Sequence, residues 1–280
     1  MEKIAVTGAT GFLGEKLVEK LHGEGNFIHA IARNEGKLME LKDKFRNIEV
    51  FPCPVEDKYL IRKAVRGCSG IFHLASLKNV NLAEKHALKT IQSNIIGTTN
   101  LLKATMEDKS IQFIVGTSSD KAVDISSIYG ASKFIVERLF DEFNGMNSDH
   151  CKYRIVRFGN IMHSTSSVLV KWKQALQEGK ELIITDPEAT RFFISREQAI
   201  SIMFECLEQA TDARPYSPDM KSISLHELLD LMILKYGNGK AVKITETGLE
   251  RGENKHERLD EQHSSEQAGR WNPEELLGYL

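Results

Sequence analysis

Three glycines at intervals of three residues separate the first apolar run of the chain from its first amphipathic segment. Gly8 follows the run Ile4–Thr7, and Gly11 and Gly14 lie where helical periodicity begins. A strand that turns into a helix needs glycine where the chain bends tightly, where its backbone meets a pyrophosphate, and where helix packs on strand. The spacing therefore predicts a dinucleotide-binding loop, with a plain structural turn as the alternative. The predicted cofactor contacts in this loop are Gly8, Thr10, Gly11, Phe12, Leu13 and Gly14.

The first 160 residues alternate between short β-branched runs and longer segments with helical periodicity. Such alternation, with apolar strands, is typical of a parallel sheet covered on both faces. We therefore predict an α/β fold with a Rossmann-like, doubly wound parallel sheet. The predicted strands are Lys3–Thr7, Phe27–Ala32, Ile48–Phe51, Gly70–Leu74, Gln112–Gly116 and Tyr153–Phe158. The predicted helices are Phe12–Leu21, Lys37–Lys44, Lys58–Val65, Leu82–Met106 and Ser127–Phe143.

The regular alternation ends after Asn160. We predict a dinucleotide-binding domain over residues 1–160 and a smaller substrate-binding region over residues 161–280, and the pattern leaves open whether the two interleave. The charge-dense segment Glu246–Ser264 is predicted to be a solvated face. Helical periodicity in this part of the chain is seen in Val168–Glu178, Arg196–Gln209 and Leu225–Tyr236.

Composition narrows the class of partner. The chain has 37 Lys and Arg against 39 Asp and Glu, so no basic excess favours nucleic acid or an anionic membrane. The four cysteines lie far apart and without histidines at zinc spacing, so no metal site is predicted. No apolar run reaches the roughly 20 residues of a membrane span. Met1–Lys3 leads directly into a predicted strand, so we expect no signal peptide and a cytoplasmic location.

The end of the second predicted strand indicates which nicotinamide cofactor is bound. An acidic residue there would bind the ribose 2′-hydroxyl of NAD, but this chain has Arg33 and Lys37. Two cations one helical turn apart suit a 2′-phosphate, so the sequence favours NADP. The alternative is a pair of surface charges at a helix start, and the neighbouring Glu35 weakens the case for the phosphate.

A candidate catalytic segment lies between residues 116 and 133. Tyr129 and Lys133 are four residues apart at the start of a predicted helix, so they share one face. A nearby ammonium is expected to lower the pKa of the tyrosine and to make it an acid/base near neutral pH. Ser119, just past a strand, could hydrogen-bond a substrate hydroxyl. This pattern after a glycine loop predicts an oxidoreductase-type active site.

With these motifs the chain resembles an extended short-chain dehydrogenase/reductase, and within that group the UDP-N-acetylglucosamine 4,6-dehydratases. The resemblance covers nearly the whole chain, and Ser119-Asp120-Lys121-Ala122 is similar to the family's Thr-Asp-Lys-Ala catalytic motif. Further matching segments are His73–Lys78, Asn94–Asn100, Arg157–Asn160, Thr185–Pro187 and Thr190–Phe192.

The resemblance implies a reaction in three stages on one sugar. NADP, tightly bound and recycled, accepts hydride from C4 with Tyr129 as base, Lys133 as its support and Ser119 orienting the hydroxyl. Water is then eliminated across C5 and C6, a step that needs a second acid/base pair. The family implies Lys121 as the base at C5 and Asp120 as the acid at C6. Hydride finally returns to C6. An exposed ion pair in a loop is the alternative for Asp120 and Lys121.

The resemblance also implies the binding contacts and a homodimer or higher homo-oligomer. In that assembly the segments Leu82–Met106 and Ser127–Phe143 are expected to pair across a two-fold axis. Further implied cofactor contacts are Val55, Ala75, Asn94, Tyr129 and Lys133. The implied contacts with UDP-N-acetylglucosamine are Lys78, Asn160, Ser167, Val168, Thr185, Arg191 and Glu253.

The chain departs from the family pattern at three places around the nucleotides. Cys53-Pro54 replaces Gly-Asp, so adenine binding would use backbone at Val55. Ser164–Ser167 replaces Ser-Arg-Gly-Ser and loses a cation, and Glu250–Glu253 replaces Arg-Pro-Gly-Glu. Two other functions therefore stay open: an NADP-dependent C4 epimerase or keto-sugar reductase, and a non-catalytic NADP-binding protein.

Overall fold

A six-stranded parallel sheet forms the centre of the structure, a computed structural model that describes residues 2–165, 167–239 and 241–280. The strand order is β3-β2-β1-β4-β5-β6, the doubly wound order of dinucleotide-binding folds, which confirms the predicted fold class. Nearly every residue of the two strands beside β1 is buried, because helices cover both faces. The strands are β1 (Lys3–Thr7), β2 (Phe27–Ala32), β3 (Ile48–Pro52), β4 (Gly70–His73), β5 (Phe113–Ser119) and β6 (Lys152–Phe158).

The fifth strand is longer than the sequence predicted. The apolar run ends at Gly116, but β5 continues through Thr117–Ser119, which pair in parallel register with Val156–Phe158 of β6. These polar residues carry no strand signal of their own, and the neighbouring strand holds them in the sheet. The extension brings Ser119 to the carboxyl edge of the sheet, where ligands of open α/β folds bind.

The predicted helix Leu82–Met106 is interrupted. The chain leaves helical geometry at His86, with φ −132° and ψ 56°, and the stretch Ile91–Ile96 is a π-helical segment.

Among the described residues no helix is both long enough and apolar enough to cross a membrane. The helices of this half are α1 (Phe12–Gly23), α2 (Glu35–Lys44), α3 (Lys58–Val65), α4 (Val80–Lys85), α5 (Ala87–Thr90), α6 (Gly97–Glu107) and α7 (Ile128–Asn147).

The second half of the chain builds a smaller layer, in which two short sheets and three helices of the described residues surround an apolar cluster that includes Trp172, Phe193 and Leu228. Its strands are β7 (Asn160–Ile161), β8 (Leu182–Ile184), β9 (Thr190–Ile194), β10 (Ser222–Ser224) and β11 (Ile244–Glu246). Its helices are α8 (Val168–Glu178), α9 (Arg196–Gln209), α10 (Leu225–Tyr236) and α11 (Pro273–Tyr279).

One helix of the second half packs on the central sheet. Ile200, Met203 and Cys206 of α9 share an apolar cluster with Val6 and Leu17, and α9 lies against α1 and β6. The two halves of the chain are therefore interleaved in their packing. The assignment of cofactor binding to residues 1–160 and of substrate binding to residues 161–280 stays a prediction.

The charge-dense segment is exposed over much of its length, as predicted, but not throughout. Residues 247–265, which we call the strap, run back over the open edge of the central sheet, and Glu257 and Leu259 in it are buried. Arg157 Nη1 on β6 donates to the carbonyl of Leu259 at 2.6 Å, and Asn254 Nδ2 donates to the carbonyl of Asp124 at 2.9 Å. Composition alone cannot show which charges in a polar segment find buried partners, so the prediction missed Glu257.

Candidate active site

A cleft of about 1090 Å³ opens at the carboxyl edge of the parallel sheet, between it and the smaller layer. Its volume exceeds the range of about 300–1,000 Å³ that is usual for a single small-molecule site, so two ligands can lie side by side. With the exception of Asn94, every residue predicted to bind cofactor or substrate lines this cleft.

The glycine loop forms one end of the cleft, and its backbone tolerates no side chain at two positions. A Cβ at Gly14 would lie 2.1 Å from the carbonyl oxygen of Gly8. Gly8 itself has φ +70°, and a Cβ there would lie 2.9 Å from the amide nitrogen of Ala75. No side chain caps the first turn of α1 after Gly11, so its N–H groups are available to an anion. This is a cradle that fits a pyrophosphate.

The rest of this end carries the two predicted cations. Arg33 and Lys37 are exposed on the cleft wall, and no ion pair engages either one in the described part of the chain. Asn34 starts α2 between them by accepting a hydrogen bond from the Lys37 amide at 3.0 Å. Beyond them, the Val55 carbonyl accepts from Asn100 Nδ2 at 3.2 Å, which fixes the loop after β3.

Asn94 lies behind the cleft wall. Its Oδ1 accepts from the Leu77 amide at 2.7 Å, and its Nδ2 donates to the Leu77 carbonyl and to Ser132 Oγ. The predicted direct contact with the cofactor is therefore not supported by its placement. Asn94 instead ties the loop that carries Ala75 and Lys78 to helix α7.

The catalytic segment folds back on itself at the end of β5. Asp120–Ala122 form one turn of 3-10 helix, and Ser127 caps α7 by accepting from the Gly130 amide at 3.0 Å. A Cβ at Gly130 would lie 2.1 Å from the carbonyl oxygen of Lys121. The glycine therefore lets the start of α7, with Tyr129, approach the Asp120–Lys121 turn closely.

The environment of Tyr129 differs from the expectation. Burial raises its pKa to about 12, while the charge of Lys121 and a hydrogen bond with Ser119 act in the opposite direction. The predicted lowering of this pKa by Lys133 is wrong, because Lys133 Nζ donates to the Thr117 carbonyl at 2.8 Å and lies 5.9 Å from the tyrosine ring centroid. Burial lowers the pKa of Lys133 itself to about 8.

The adjacent acid and base do not form an exposed loop pair, because Asp120 is buried and Lys121 is mostly buried, with 18% of its side chain exposed. Asp120 is 1% exposed, and its Oδ1 accepts from Ser119 Oγ at 2.8 Å and from Lys121 Nζ at 3.2 Å. On its other side, Lys121 Nζ lies 3.3 Å from Oε1 of Glu257, which is also 1% exposed. Sequence reasoning missed Glu257, and no local motif in the strap could have identified it.

The substrate-side residues come from the smaller layer and the strap. Ser167 starts α8 without forming a cap, and its buried Oγ has no partner among the described residues. Arg191 Nη1 donates to the carbonyls of Thr190 and Lys255, each at 2.9 Å, and its Nε lies 4.0 Å from Glu257 Oε1. The remaining predicted contacts on this wall are Lys78, Asn160, Val168, Thr185 and Glu253.

Comparison with known proteins agrees with this architecture. A family model described as "Polysaccharide biosynthesis protein" matches residues 4–273. The chain belongs to this family. Its sequence is 31% identical to an uncharacterized membrane protein of Methanocaldococcus jannaschii, over 91% of this chain and 79% of that one.

Two further relatives have named activities. The chain is 30% identical to a UDP-N-acetylglucosamine 4,6-dehydratase (inverting) of Campylobacter jejuni, over 81% of this chain and 70% of that one. It is 29% identical to a UDP-glucose 4-epimerase of Rickettsia rickettsii, over 73% of this chain and 62% of that one. The chain therefore falls in the sugar-nucleotide dehydratase and epimerase class of short-chain dehydrogenase/reductases, as the sequence motifs predicted.

A solved structure matches nearly the whole fold. Pen from Bacillus thuringiensis superposes with a TM-score of 0.94 at 25% sequence identity, covering 99% of this chain and 96% of that one. The superposition therefore extends over both halves of the chain.

Proposed function

We propose that this family member is a UDP-N-acetylglucosamine 4,6-dehydratase that forms a UDP-2-acetamido-2,6-dideoxy-4-keto-hexose. The observation that carries the proposal is the buried Asp120–Lys121 pair next to Ser119 and Tyr129 in one cleft. Epimerisation at C4 needs acid/base chemistry at that carbon alone, whereas elimination across C5 and C6 needs a second acid and a second base. The groups for C4, Ser119 and Tyr129, and the groups for C5 and C6, Asp120 and Lys121, line the same cleft.

Tyr129 exchanges the proton of the C4 hydroxyl, and Ser119 orients that hydroxyl. Because burial favours the neutral phenol, the positive charge of Lys121 is needed to stabilise the phenolate. Lys133, whose pKa is lowered to about 8, can hold or release a proton near neutral pH beside this group. NADP, when bound, supplies the hydride acceptor for C4 and the hydride donor for C6.

Lys121 and Asp120 act on the next two carbons. Once C4 is a ketone, the C5 proton is acidic enough for an amine to remove, and Lys121 lines the same cleft as Tyr129. Asp120 acts in its protonated carboxyl form: it gives its proton to the C6 hydroxyl, which leaves as water, and the proton that Tyr129 took from the C4 hydroxyl restores it. Lys121 returns its proton to C5 as hydride returns to C6.

The nucleotide end of the cleft fits NADP. The side-chain-free cradle at Gly8 and Gly14 accommodates the pyrophosphate, and the uncapped start of α1 supplies N–H donors. Arg33 and Lys37 are placed to bind a 2′-phosphate and have no competing carboxylate partner in the described residues. The backbone of Val55, fixed by Asn100, would contact the adenine.

The opposite end suits the diphosphate of the substrate. The start of α8 combines free backbone donors with the unpartnered Ser167 Oγ, which favours an anion there. Lys78 projects into the same cleft, and burial lowers its pKa, so an approaching phosphate would restore the stability of its charged form. These groups would substitute for the cation that the Ser164–Ser167 loop lacks.

We also propose that two copies of the chain pair through the α4–α6 and α7 faces. Large apolar side chains are exposed on these helices, an arrangement that marks interaction surfaces. A monomer in light scattering at micromolar concentration would contradict this pairing. The exposed apolar side chains are Leu82, Leu88, Ile91, Ile96, Ile135 and Met146.

A cytoplasmic location without nucleic-acid or membrane partners stays a prediction from composition.

A C4 epimerase is the second candidate, because the Rickettsia relative carries that name and the groups at C4 would serve either reaction. Proton NMR of the chain incubated with NADP and UDP-N-acetylglucosamine separates the two. A dehydratase gives a C6 methyl signal, and deuterium placed at C4 reappears at C6. An epimerase keeps the C6 hydroxymethyl group and returns the deuterium to C4. The proposal fails if no methyl signal forms while the C4 epimer accumulates.

A further inference from the structure

Glu257 is a charged residue of the strap that sits inside the catalytic cluster. Its backbone is fixed there by two hydrogen bonds with Ser265: the Glu257 amide donates to Ser265 Oγ at 2.8 Å, and the Ser265 amide donates to the Glu257 carbonyl at 2.8 Å. Ser265 Oγ is in turn 2.7 Å from Thr190 Oγ1 on β9. The backbone of Glu257 is therefore held in place independently of the contact between its carboxylate and Lys121.

The side chain completes a buried group of four charges. Lys121 Nζ lies between Asp120 Oδ1 at 3.2 Å and Glu257 Oε1 at 3.3 Å, and Arg191 approaches Glu257 at 4.0 Å. The second oxygen of each carboxylate, Asp120 Oδ2 and Glu257 Oε2, is buried and has no hydrogen-bond partner among the described residues. Burying charges with unsatisfied oxygens lowers stability, so stability alone does not explain this arrangement.

We propose that Glu257 is a positioning residue for Lys121: it holds the ammonium at the C5 side of the cleft and accepts its proton when Lys121 becomes a free amine. The inference rests on the proposed function for the identity of the carbon, but the contact between Glu257 and Lys121 does not. Asp120 is the less suitable acceptor, because Lys121 Nζ contacts its Oδ1, and that oxygen already accepts from Ser119 Oγ and from the Lys121 amide.

The proton transfer needs no other reactant. One Nζ–H bond of Lys121 breaks and one O–H bond forms on Glu257 Oε1, so an ammonium–carboxylate pair becomes an amine–carboxyl pair of unchanged total charge. Burial raises the pKa of Glu257 and so favours the carboxyl form, although Lys121 and Arg191 oppose this effect. The charges of Asp120 and Glu257 raise the pKa of Lys121, so the free amine needs a proton acceptor close by.

The direct test measures the amine of Lys121 in the protein without substrate. Trace acylation with acetic anhydride across a pH series, followed by peptide mass spectrometry, gives the pH midpoint of Lys121 reactivity. Glu257→Gln keeps the shape and removes one negative charge, so the ammonium loses stabilisation and the midpoint should fall. An opposite charge within hydrogen-bond distance typically shifts a pKa by about 1–3 units, which corresponds to an amine about 10–1,000 times more reactive at a fixed pH.

Two variants complete this measurement. Glu257→Asp keeps the charge but places the carboxylate one methylene farther from Lys121. The acylation midpoint of Lys121 should therefore shift in the same direction as in Glu257→Gln, by a smaller amount. Glu261→Gln, on the same strap with an exposed side chain, should leave the midpoint unchanged. An unchanged Lys121 midpoint in Glu257→Asp and in folded Glu257→Gln would overturn the inference; if the latter does not fold, Glu257→Asp decides alone.

A second readout separates proton transfer from a purely structural anchor. With an internal acceptor, exchange of the C5 proton with heavy water should be nearly independent of pH around neutrality. In Glu257→Gln the Lys121 proton must go to solvent, so C5 exchange should rise about tenfold per pH unit until the amine is free. A variant profile as flat as that of the native chain contradicts the inference even if product forms. If the native chain forms no dehydratase product, the proposed function fails, and the acylation midpoint alone decides the role of Glu257.

Discussion

The two ends of the cleft differ in the kind of chemical group that forms them. The nucleotide end is made of backbone: a glycine cradle at residues 8–14 and an uncapped helix start. The sugar end is made of side-chain charges, Asp120, Lys121, Arg191 and Glu257, that are buried together from three separate parts of the chain. A backbone site is specified by a few adjacent residues, whereas a charge cluster is specified only once distant segments meet. The ends should therefore respond independently to substitution.

The largest expected effect is at the sugar end. Lys121→Met should lower the rate of product formation by about 10²–10⁴-fold, because it removes a positioned base. Oxidation at C4 should become slower, because Tyr129 loses the positive charge of Lys121, but it should still occur, so reduced nicotinamide absorbance should build up to at most one equivalent of enzyme. Tyr129→Phe is the matched comparison and should show no reduced cofactor at all. Unchanged NADP affinity in Lys121→Met, measured by calorimetry, would support the independence of the two ends, and a large loss of affinity would contradict it.

The corresponding change at the nucleotide end is Gly14→Ala. Its Cβ would lie 2.1 Å from the Gly8 carbonyl oxygen, so the loop must shift, at a cost of about 1–3 kcal/mol. We expect NADP affinity to fall by about 10–100-fold, while the acylation midpoint of Lys121 stays as in the native chain. Gly23→Ala is the control on the same helix, because its Cβ would meet nothing within 4 Å. Equal effects of the two alanines would show that the cradle is not the cause.

A smaller effect tests how the nucleotide end selects its cofactor. Arg33→Ala should weaken NADP by about 10-fold or more through the loss of a charge-assisted hydrogen bond, and should change NAD affinity much less. Lys37→Ala should act in the same direction. Fluorescence titration with both cofactors provides the ratio. If either variant weakens both cofactors equally, the 2′-phosphate assignment is wrong.

The smallest effect concerns the strap. Asn254→Ala removes the hydrogen bond from Asn254 Nδ2 to the Asp124 carbonyl, a loss of about 0.5–1.5 kcal/mol. We expect KM for the sugar nucleotide to rise by about 2–10-fold, with little change in NADP affinity. Gln262→Ala, an exposed position of the same segment, serves as control. A comparable rise in the control would mean that the strap acts through its general flexibility and not through this contact.

The same contrast explains what the sequence could and could not predict. Local periodicity placed β1, β2, α3 and α8 at their observed bounds, and the spacing of Gly8, Gly11 and Gly14 predicted the cradle. The sequence did not show the break at His86, because apolar periodicity continues on both sides of it. The sequence also did not show that Glu257 of the strap is buried, because Glu257 is surrounded in the sequence by other charges and differs from them only in its tertiary contacts.

The strap has a consequence for how the enzyme is made. Synthesis on the ribosome releases the chain from its N-terminus, and domains generally fold in that order. The glycine loop and all six strands of the central sheet precede residue 160, so a cradle for the nucleotide can assemble early. Glu257 and the contacts of Leu259 and Ser265 follow only about 100 residues after the end of β6. A nascent chain would thus acquire the glycine cradle before the carboxylate that completes the charge cluster.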